Sequence, residues 1–193
     1  MANKSKGGSD WSWEQQGTCL IGGSPGLKES PKIASFDMDD TIITRKSGAK
    51  FPVNADDWLI LNDIVKPTIQ KLDKEGFKIV IFTNQAGIEK GKTKAEDIKK
   101  KVANIAKELE VEMQVFVASH EDEYRKPGTA MWTLLANKYN GKAKIDMKAS
   151  FFCGDAAGRK TATHKDFSDS DFKFALNVGI EFKTPEMLFL GQK

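Results

Sequence analysis

The chain has 193 residues, of which 30% are charged and 39% hydrophobic, and its formal net charge is +3. No run approaches the roughly 20 apolar residues of a membrane-spanning helix, and no signal-peptide pattern opens the chain. Two cysteines, Cys19 and Cys153, are too few for a disulfide framework, so we expect them to be buried and reduced in an intracellular protein.

The first ten residues are rich in Gly, Ser and Lys. We expect a disordered or expression-derived tail over residues 1–10, followed by one domain over residues 11–193. Packing begins at Trp11 and Trp13, and a short strand is predicted near residues 18–21.

Strands and helices alternate from residue 32 onward. Apolar runs predict strands at residues 32–37, 78–83, 111–118, 150–154 and 180–182. Helix starts are indicated by Pro67, by a capping box formed by Thr93 and Glu96, by Pro127 and by Asp171. This alternation predicts an α/β fold, a Rossmann-like, doubly wound parallel sheet covered by helices on both faces.

The second helix has a clear amphipathic pattern. Its apolar residues are spaced three or four apart, which predicts that they are buried together: Ala95, Ile98, Val102, Ile105 and Leu109. The lysines of residues 99–101 are expected on a solvated face of the same helix.

Polar residues follow the predicted strands at the edge where parallel sheets bind ligands. Asp37 and Asp39 come after the first main strand, and Thr83 ends the second. Lys126 lies in the loop after the third strand, and Asp155 follows the fourth. Four separate segments are therefore predicted to form one site.

These residue types suit phosphoryl transfer. Asp37 can attack phosphorus to give an aspartyl-phosphate intermediate, while Asp39 protonates the leaving oxygen and then deprotonates a water. Thr83 can donate a hydrogen bond to a phosphoryl oxygen, and Lys126 can neutralise its charge. Asp155 adds a hard oxygen ligand, which favours Mg²⁺.

The four segments resemble the motifs of haloacid-dehalogenase-superfamily phosphatases: residues 37–41 (Asp-Met-Asp-Asp-Thr), 82–83 (Phe-Thr), Lys126, and 154–155 (Gly-Asp). Within this superfamily the chain is similar to the phosphatase domain of polynucleotide kinase 3′-phosphatases, notably at residues 81–88, 124–127, 154–159 and 165–168. The sequence departs from many relatives at Asp40, where they carry glycine, and we expect this side chain to face away from the site.

The resemblance implies Mg²⁺ as cofactor. Its ligands would be the Asp37 carboxylate, the backbone carbonyl of Asp39, Asp155 and a second acid. Because Gly158 and Arg159 occupy the positions just after Asp155, we assign that second acid to Asp171.

The motifs follow one another too closely for a large inserted cap domain, which leaves room for short flaps such as residues 44–56. An open site with basic residues around it favours a polymer end. Candidate substrate contacts are Asn84, Lys90, Lys92, His120, Arg125, Arg159 and Lys165. Purely structural or surface roles stay open for His120, Arg159 and Lys165. The glycines of residues 87–91 are too closely spaced for a P-loop.

The resemblance implies a Mg²⁺-dependent polynucleotide 3′-phosphatase that acts on damaged DNA ends. Such an enzyme would be a monomer that associates with other repair proteins in the nucleus, with mitochondria as a further location. Two alternatives stay open. One is a capless phosphatase for a small monoester, such as histidinol phosphate or a sugar phosphate. The other is a nucleic-acid-binding module without activity.

Overall fold

The computed structural model describes residues 11–50, 52–160 and 165–192. A seven-stranded sheet has the order β1-β2-β7-β6-β3-β8-β9, and β4 and β5 form a separate two-stranded ribbon. The strands are β1 Ser12–Gln16, β2 Cys19–Gly23, β3 Ile33–Phe36, β4 Ile43–Thr44, β5 Leu59–Ile60, β6 Lys78–Asn84, β7 Met113–Ala118, β8 Phe151–Cys153 and β9 Glu181–Lys183. The predicted N-terminal tail, residues 1–10, lies outside the described residues.

Helices follow the central strands in turn. They are α1 Val65–Lys74, α2 Ala95–Leu109, α3 Ala130–Leu134, which continues as a π-helical turn over Leu135–Tyr139, α4 Ser170–Val178 and α5 Pro185–Leu190. Strands β3, β6, β7, β8 and β9 are parallel. The predicted doubly wound α/β sheet is confirmed. In the described ranges, no helix is long and apolar enough to cross a membrane.

The sheet separates two apolar cores. Helices α1 and α2 pack on one face, with Ile69 and Val102 fully buried, and α3, the π-helical turn and α4 pack on the other, around Trp132 and Phe174. The amphipathic face predicted for α2 is confirmed. Lys101 was expected on the solvated face of α2, but it is buried. Both cysteines are buried and free, as expected.

The N-terminal segment adds two antiparallel strands to the sheet, where the sequence predicted one. Strand β1 pairs with β2, and β2 pairs with β7. The ring of Trp13 lies over Gly22, where a Cβ atom would be 2.6 Å from the indole. Glycine at this position therefore lets the Trp13 ring pack closely against β2, and this contact helps to hold β1 on the sheet.

Three predicted helix starts differ from the structure. Helix α1 begins at Val65, two residues before Pro67, because first-turn N–H groups need no helical partner and proline is tolerated there. Thr93 and Glu96 form no capping box: Lys94 precedes α2, and Thr93 N–H donates to the Gly87 carbonyl instead. Pro127 lies in a turn closed by Gly128 N–H and the Arg125 carbonyl, so α3 starts only at Ala130.

A short flap lies at the position where the sequence predicted one. It runs between β4 and β5, which pair with each other. The Asp57 carboxylate closes it by accepting hydrogen bonds from the Ser47 N–H and hydroxyl and from Val53 N–H. No larger insertion occurs in the described part of the chain, which confirms the prediction of a fold without a large cap.

Candidate active site

The predicted site residues meet at the carboxyl ends of the parallel strands. Asp37 directly follows β3, and its N–H donates to the Cys153 carbonyl of β8 at 2.8 Å. Thr83 lies near the end of β6, and Asp155 follows β8. Lys126 reaches the same place from the loop after β7, where its ammonium contacts Asp37. The register of the sheet thus brings together residues more than 100 positions apart.

Lys126 is the centre of this arrangement. Its Nζ lies 2.7 Å from Asp37 Oδ1 and 2.7 Å from Asp171 Oδ1, and its side chain is 1% exposed. Burial alone would lower the pKa of this lysine, but Asp171 and Asp37 together raise it. The ammonium is therefore a fixed positive charge beside the candidate nucleophile.

The side-chain amide of Asn84 binds the backbone of Lys126. Its Nδ2 donates to the Lys126 carbonyl at 3.1 Å, and its Oδ1 accepts from the Lys126 N–H at 2.9 Å. We predicted a substrate contact for Asn84, but both ends of its amide bind backbone. This geometry favours positioning of Lys126 instead.

Three carboxylates form an oxygen-only cluster. Ligand oxygens of Asp37, Asp155 and Asp171 all lie within 4.8 Å of one another. Burial, reinforced by repulsion from Asp171 and Asp155, raises the pKa of Asp37 in spite of Lys126. Burial, together with Asp171, raises the pKa of Asp155 to about 6. Three acids beside one lysine leave a surplus of negative charge, which fits a hard divalent cation.

Asp171 also contributes hydrogen bonds within the protein. Its Oδ1 accepts from Lys126, and its Oδ2 accepts from the Ala156 N–H at 3.1 Å. A Cβ at Gly154 would lie 2.3 Å from the same Oδ2, so glycine is needed for this close approach. The predicted metal-binding acid is therefore at the cluster, but its contacts also orient the lysine.

Thr41 fixes Asp155, a contact that we did not predict. The Thr41 hydroxyl accepts from the Asp155 N–H at 3.1 Å and donates to Asp155 Oδ1 at 3.4 Å.

Asp40, which lies between Asp39 and Thr41 in the chain, has a φ of +56°. Its carboxylate accepts hydrogen bonds from Arg45 and Thr44. The positive φ explains why glycine suits this position, and the Asp40 carboxylate binds residues at the start of the flap.

Gln85 is a second residue that we did not predict. Its Nε2 lies 2.8 Å from Asp39 Oδ2 and 3.0 Å from Thr83 Oγ1, and Thr83 is 1% exposed. Gln85 follows Thr83 by two positions, so the period of the extended chain places both on one side. That spacing was the signal available in the sequence.

Comparison with known families identifies the family of this chain. The profile of the family described as polynucleotide kinase 3 phosphatase matches residues 32–189, which include all the segments above. The chain belongs to this polynucleotide kinase 3 phosphatase family. Its fold is that of haloacid-dehalogenase-like phosphatases, and the resemblance stated from the sequence is confirmed.

Relatives of this phosphatase vary in length. A 20.8 kDa protein of Autographa californica nuclear polyhedrosis virus is 42% identical over 178 residues, covering 91% of this chain and 94% of the viral protein. A polynucleotide 3′-phosphatase of Arabidopsis thaliana is 38% identical over 179 residues, covering 86% of this chain but 25% of the plant protein. The phosphatase thus spans nearly all of one relative and a quarter of the other.

Two more distant matches extend the comparison. A haloacid-dehalogenase-like phosphatase from Mesorhizobium loti superimposes with a TM-score of 0.63 at 17% identity, covering 86% of this chain and 78% of that structure. This likeness supports the fold. A histidine biosynthesis bifunctional protein of Campylobacter jejuni is 30% identical over 159 residues, covering 78% of this chain and 40% of that protein.

The basic residues around the site of this phosphatase have mixed surroundings. The Arg159 guanidinium forms two hydrogen bonds with Asp166 and one with Glu186, so it ties the loop after β8 to α5. Lys90 pairs with Glu121 at 2.6 Å, and His120 Nδ1 lies 2.7 Å from the Ser119 hydroxyl. Among the lysine and arginine candidates, those that are exposed or half-buried with no ion pair in the described ranges are Lys92, Arg125 and Lys165.

Proposed function

We propose that this phosphatase removes 3′-phosphate groups from DNA ends, with Mg²⁺ as cofactor and an aspartyl-phosphate intermediate. The single observation that supports the chemistry most directly is the Lys126 ammonium, held 2.7 Å from the Asp37 carboxylate by a second acid, Asp171. A buried carboxylate is thereby aimed and partly neutralised, as a nucleophile that approaches a phosphate dianion must be.

In the first step, an oxygen of Asp37 attacks phosphorus. The bond between phosphorus and the leaving oxygen breaks as the new phosphorus–oxygen bond forms. Asp39 gives its proton to the leaving oxygen, so that an alcohol departs rather than an alkoxide. The Thr83 hydroxyl donates to a phosphoryl oxygen, and Lys126 stabilises the negative charge of the phosphoryl group.

In the second step, Asp39 removes a proton from water, and the water oxygen attacks the phosphorus of the intermediate. The bond to Asp37 breaks, which restores the carboxylate and releases inorganic phosphate. Mg²⁺ would be held by Asp37, Asp155 and the backbone carbonyl of Asp39, with Asp171 as the further acid. When bound, it supplies positive charge that offsets the phosphate and the clustered carboxylates.

The openness of the site and the similarity to known 3′-phosphatases support the proposed nucleic-acid substrate. Only 14 residues separate β4 from β5. We infer that so short a flap leaves the edge of the site open to the end of a polymer. Similarity to the 3′-phosphatase of Arabidopsis thaliana supports the 3′ specificity. Exposed Lys92 and Lys165 would then bind backbone phosphates without reading sequence.

Repair of damaged ends also implies a cellular setting. We expect the phosphatase to act as a monomer in the nucleus, and also in mitochondria, beside other proteins that process DNA ends. These expectations rest on the proposed substrate alone.

The decisive experiment is phosphate release from an oligonucleotide that carries a 3′-phosphate, with and without Mg²⁺. The same oligonucleotide with a 5′-phosphate is the matched control. We expect Mg²⁺-dependent release from the 3′ end at least about tenfold faster than from the 5′ end. Equal release from both ends, or release that persists after chelation of the metal, would contradict the proposal.

A small phosphate monoester is the second candidate substrate. The likeness to the histidine biosynthesis protein of Campylobacter jejuni favours this alternative. Turnover of histidinol phosphate and of sugar phosphates in the same assay separates the two. If one of these esters has a higher kcat/KM than the 3′-phosphorylated oligonucleotide, the DNA substrate is wrong and the small-molecule alternative is right.

A further inference from the structure

We propose that Gln85 is a positioning residue for the acid that protonates the leaving group. It would hold the Asp39 carboxyl through one amide hydrogen and the Thr83 hydroxyl through the other. The inference rests on the proposed two-step phosphatase chemistry but not on DNA as the substrate, because any ester with an alkoxide leaving group needs the same proton.

The orientation of the Gln85 amide follows from its neighbour. An Asp39 oxygen that carries no proton can only accept a hydrogen bond, whichever state the other oxygen is in, so the group of Gln85 that faces it is the NH₂ and not the carbonyl. Its Nε2 lies 2.8 Å from Asp39 Oδ2. This contact engages one of the two Asp39 oxygens and leaves the other to carry the transferable proton.

The second amide hydrogen determines what Thr83 can do. Gln85 Nε2 lies 3.0 Å from Thr83 Oγ1, so the hydroxyl oxygen accepts from the amide. The hydroxyl hydrogen is then free to point at a phosphoryl oxygen. One NH₂ group thus sets the donor direction of the phosphate-binding hydroxyl and the location of the acid at the same time.

Gln85 is held in place by the end of β6. Its backbone N–H donates to the Ala118 carbonyl at 2.8 Å, and the neighbouring Asn84 is bound to the Lys126 backbone. The glutamine is half-buried, and its side chain joins the loop after β3 to β6. A residue so fixed can restrict the rotamer of Asp39, which has no other side-chain hydrogen bond in the described part of the chain.

The test uses substrates that differ in their need for a proton. Gln85→Met keeps the length of the side chain but has no donor. Rates of the first turnover, in which the ester bond breaks, are measured with a 3′-phosphorylated oligonucleotide or a simple alkyl phosphate and with 4-nitrophenyl phosphate. The aryl oxide leaves without protonation, whereas the alkoxide does not.

We expect Gln85→Met to slow the first turnover of the alkyl esters by about tenfold to 100-fold, within the range of general acid catalysis. The first turnover of 4-nitrophenyl phosphate should change by less than about threefold, because its leaving group needs no proton and the Thr83 hydroxyl can still donate to the phosphoryl group without the amide. The double variant Gln85→Met with Asp39→Asn should be no slower on alkyl esters than Asp39→Asn alone, because the glutamine acts through the acid.

Gln70→Met is the matched control. Gln70 is also half-buried and donates to a backbone carbonyl, that of Leu109, away from the site. It should leave both rates unchanged, and melting temperatures of all variants verify that they fold. An equal loss on both esters would overturn the proposal in favour of phosphate binding through Thr83, and no loss on either would also overturn it. If the oligonucleotide is not a substrate, the alkyl phosphate still decides the question.

Discussion

The side-chain amide of Asn84 forms two hydrogen bonds with the backbone of Lys126, one to its carbonyl and one from its N–H. This pair connects the end of β6 to the loop after β7, and it supports the lysine whose ammonium contacts Asp37. Asn84 therefore acts on the reaction through Lys126. Its removal should affect the chemical step more than substrate binding.

We expect Asn84→Ala to lower kcat by about tenfold to 100-fold and to change KM by less than about threefold. The free energy of unfolding should fall by about 1 to 3 kcal/mol, because two buried backbone groups of Lys126 lose their partners. Steady-state kinetics and urea denaturation measure these quantities.

Asn177→Ala is the control for this variant. Asn177 donates to the carbonyl of Pro127, the next residue along the same loop, but it is exposed. Both kinetic constants should stay within about twofold of the wild type. A large rise in KM for Asn84→Ala, with kcat unchanged, would instead support the substrate contact predicted from the sequence.

Much of the site could be predicted because β-strand register is simple. Continuous apolar runs predicted the parallel strands, and residues just after such strands must share one edge, which brought Asp37, Thr83, Lys126 and Asp155 together. The spacing of Gln85 from Thr83 indicated which side of the chain it is on. The partners of Asn84 and Gln85 could not be predicted, since they depend on side-chain directions within a crowded loop. The Thr93 capping box was wrong for a similar reason: a local pattern competed with a turn closed by Gly87.

Substitutions of Asp37 and Asp40, two acids of the first motif, should differ sharply in their effect on hydrolysis. Asp37→Asn should lower kcat by at least about 10⁴-fold, because the amide cannot form the covalent intermediate. Binding of a 3′-phosphorylated oligonucleotide, measured by fluorescence anisotropy, should change by less than about threefold.

Asp40→Asn serves as its control. The Asp40 carboxylate accepts from Arg45 and Thr44 at the flap, and asparagine tolerates the positive φ of this position. Activity should stay within about threefold of the wild type. Loss of activity in Asp40→Asn as severe as in Asp37→Asn would mean that the wrong carboxylate has been assigned as the nucleophile.

Affinity for Mg²⁺ should depend on pH in a defined direction. Burial, together with Asp171, raises the pKa of Asp155 to about 6, so below that pH the carboxyl is protonated and the cation must displace a proton. The dissociation constant should then rise about tenfold, or more, for each unit that the pH falls below 6. It should level off above about pH 7, where Asp155 is ionised before binding.

Isothermal titration calorimetry with Mg²⁺ between pH 5 and 8 measures how the dissociation constant depends on pH. Asp155→Asn should bind Mg²⁺ weakly over the whole pH range. Near pH 6, the slope of its log dissociation constant against pH should change less than in the wild type. The pKa of Asp37 is raised as well, so some dependence at low pH would persist in the variant. A dissociation constant that is the same at pH 5 and pH 7 in the wild type would rule out Asp155 as a ligand.

The basic residues around the site should contribute unequally to DNA binding. Lys92 lies in the loop that leaves the site edge after β6, is exposed, and forms no ion pair in the described part of the chain. Neighbouring Lys90 is neutralised by Glu121 at 2.6 Å. We therefore expect Lys92→Gln to weaken oligonucleotide binding by about threefold to tenfold at low salt, and Lys90→Gln to have a smaller effect.

The salt dependence of oligonucleotide affinity distinguishes the loss of a phosphate contact from a loss of net charge. Each lysine that neutralises a phosphate of a single strand adds about 0.7 to the slope of log affinity against log salt, so Lys92→Gln should reduce that slope by about this amount. Lys107→Gln is the control. Lys107 lies in the last turn of α2, at the end of that helix far from Lys92, so this variant removes the same charge and should leave the slope unchanged. Equal slopes for Lys92→Gln and Lys107→Gln would place the DNA elsewhere on the protein, because net charge alone would then explain the weaker binding.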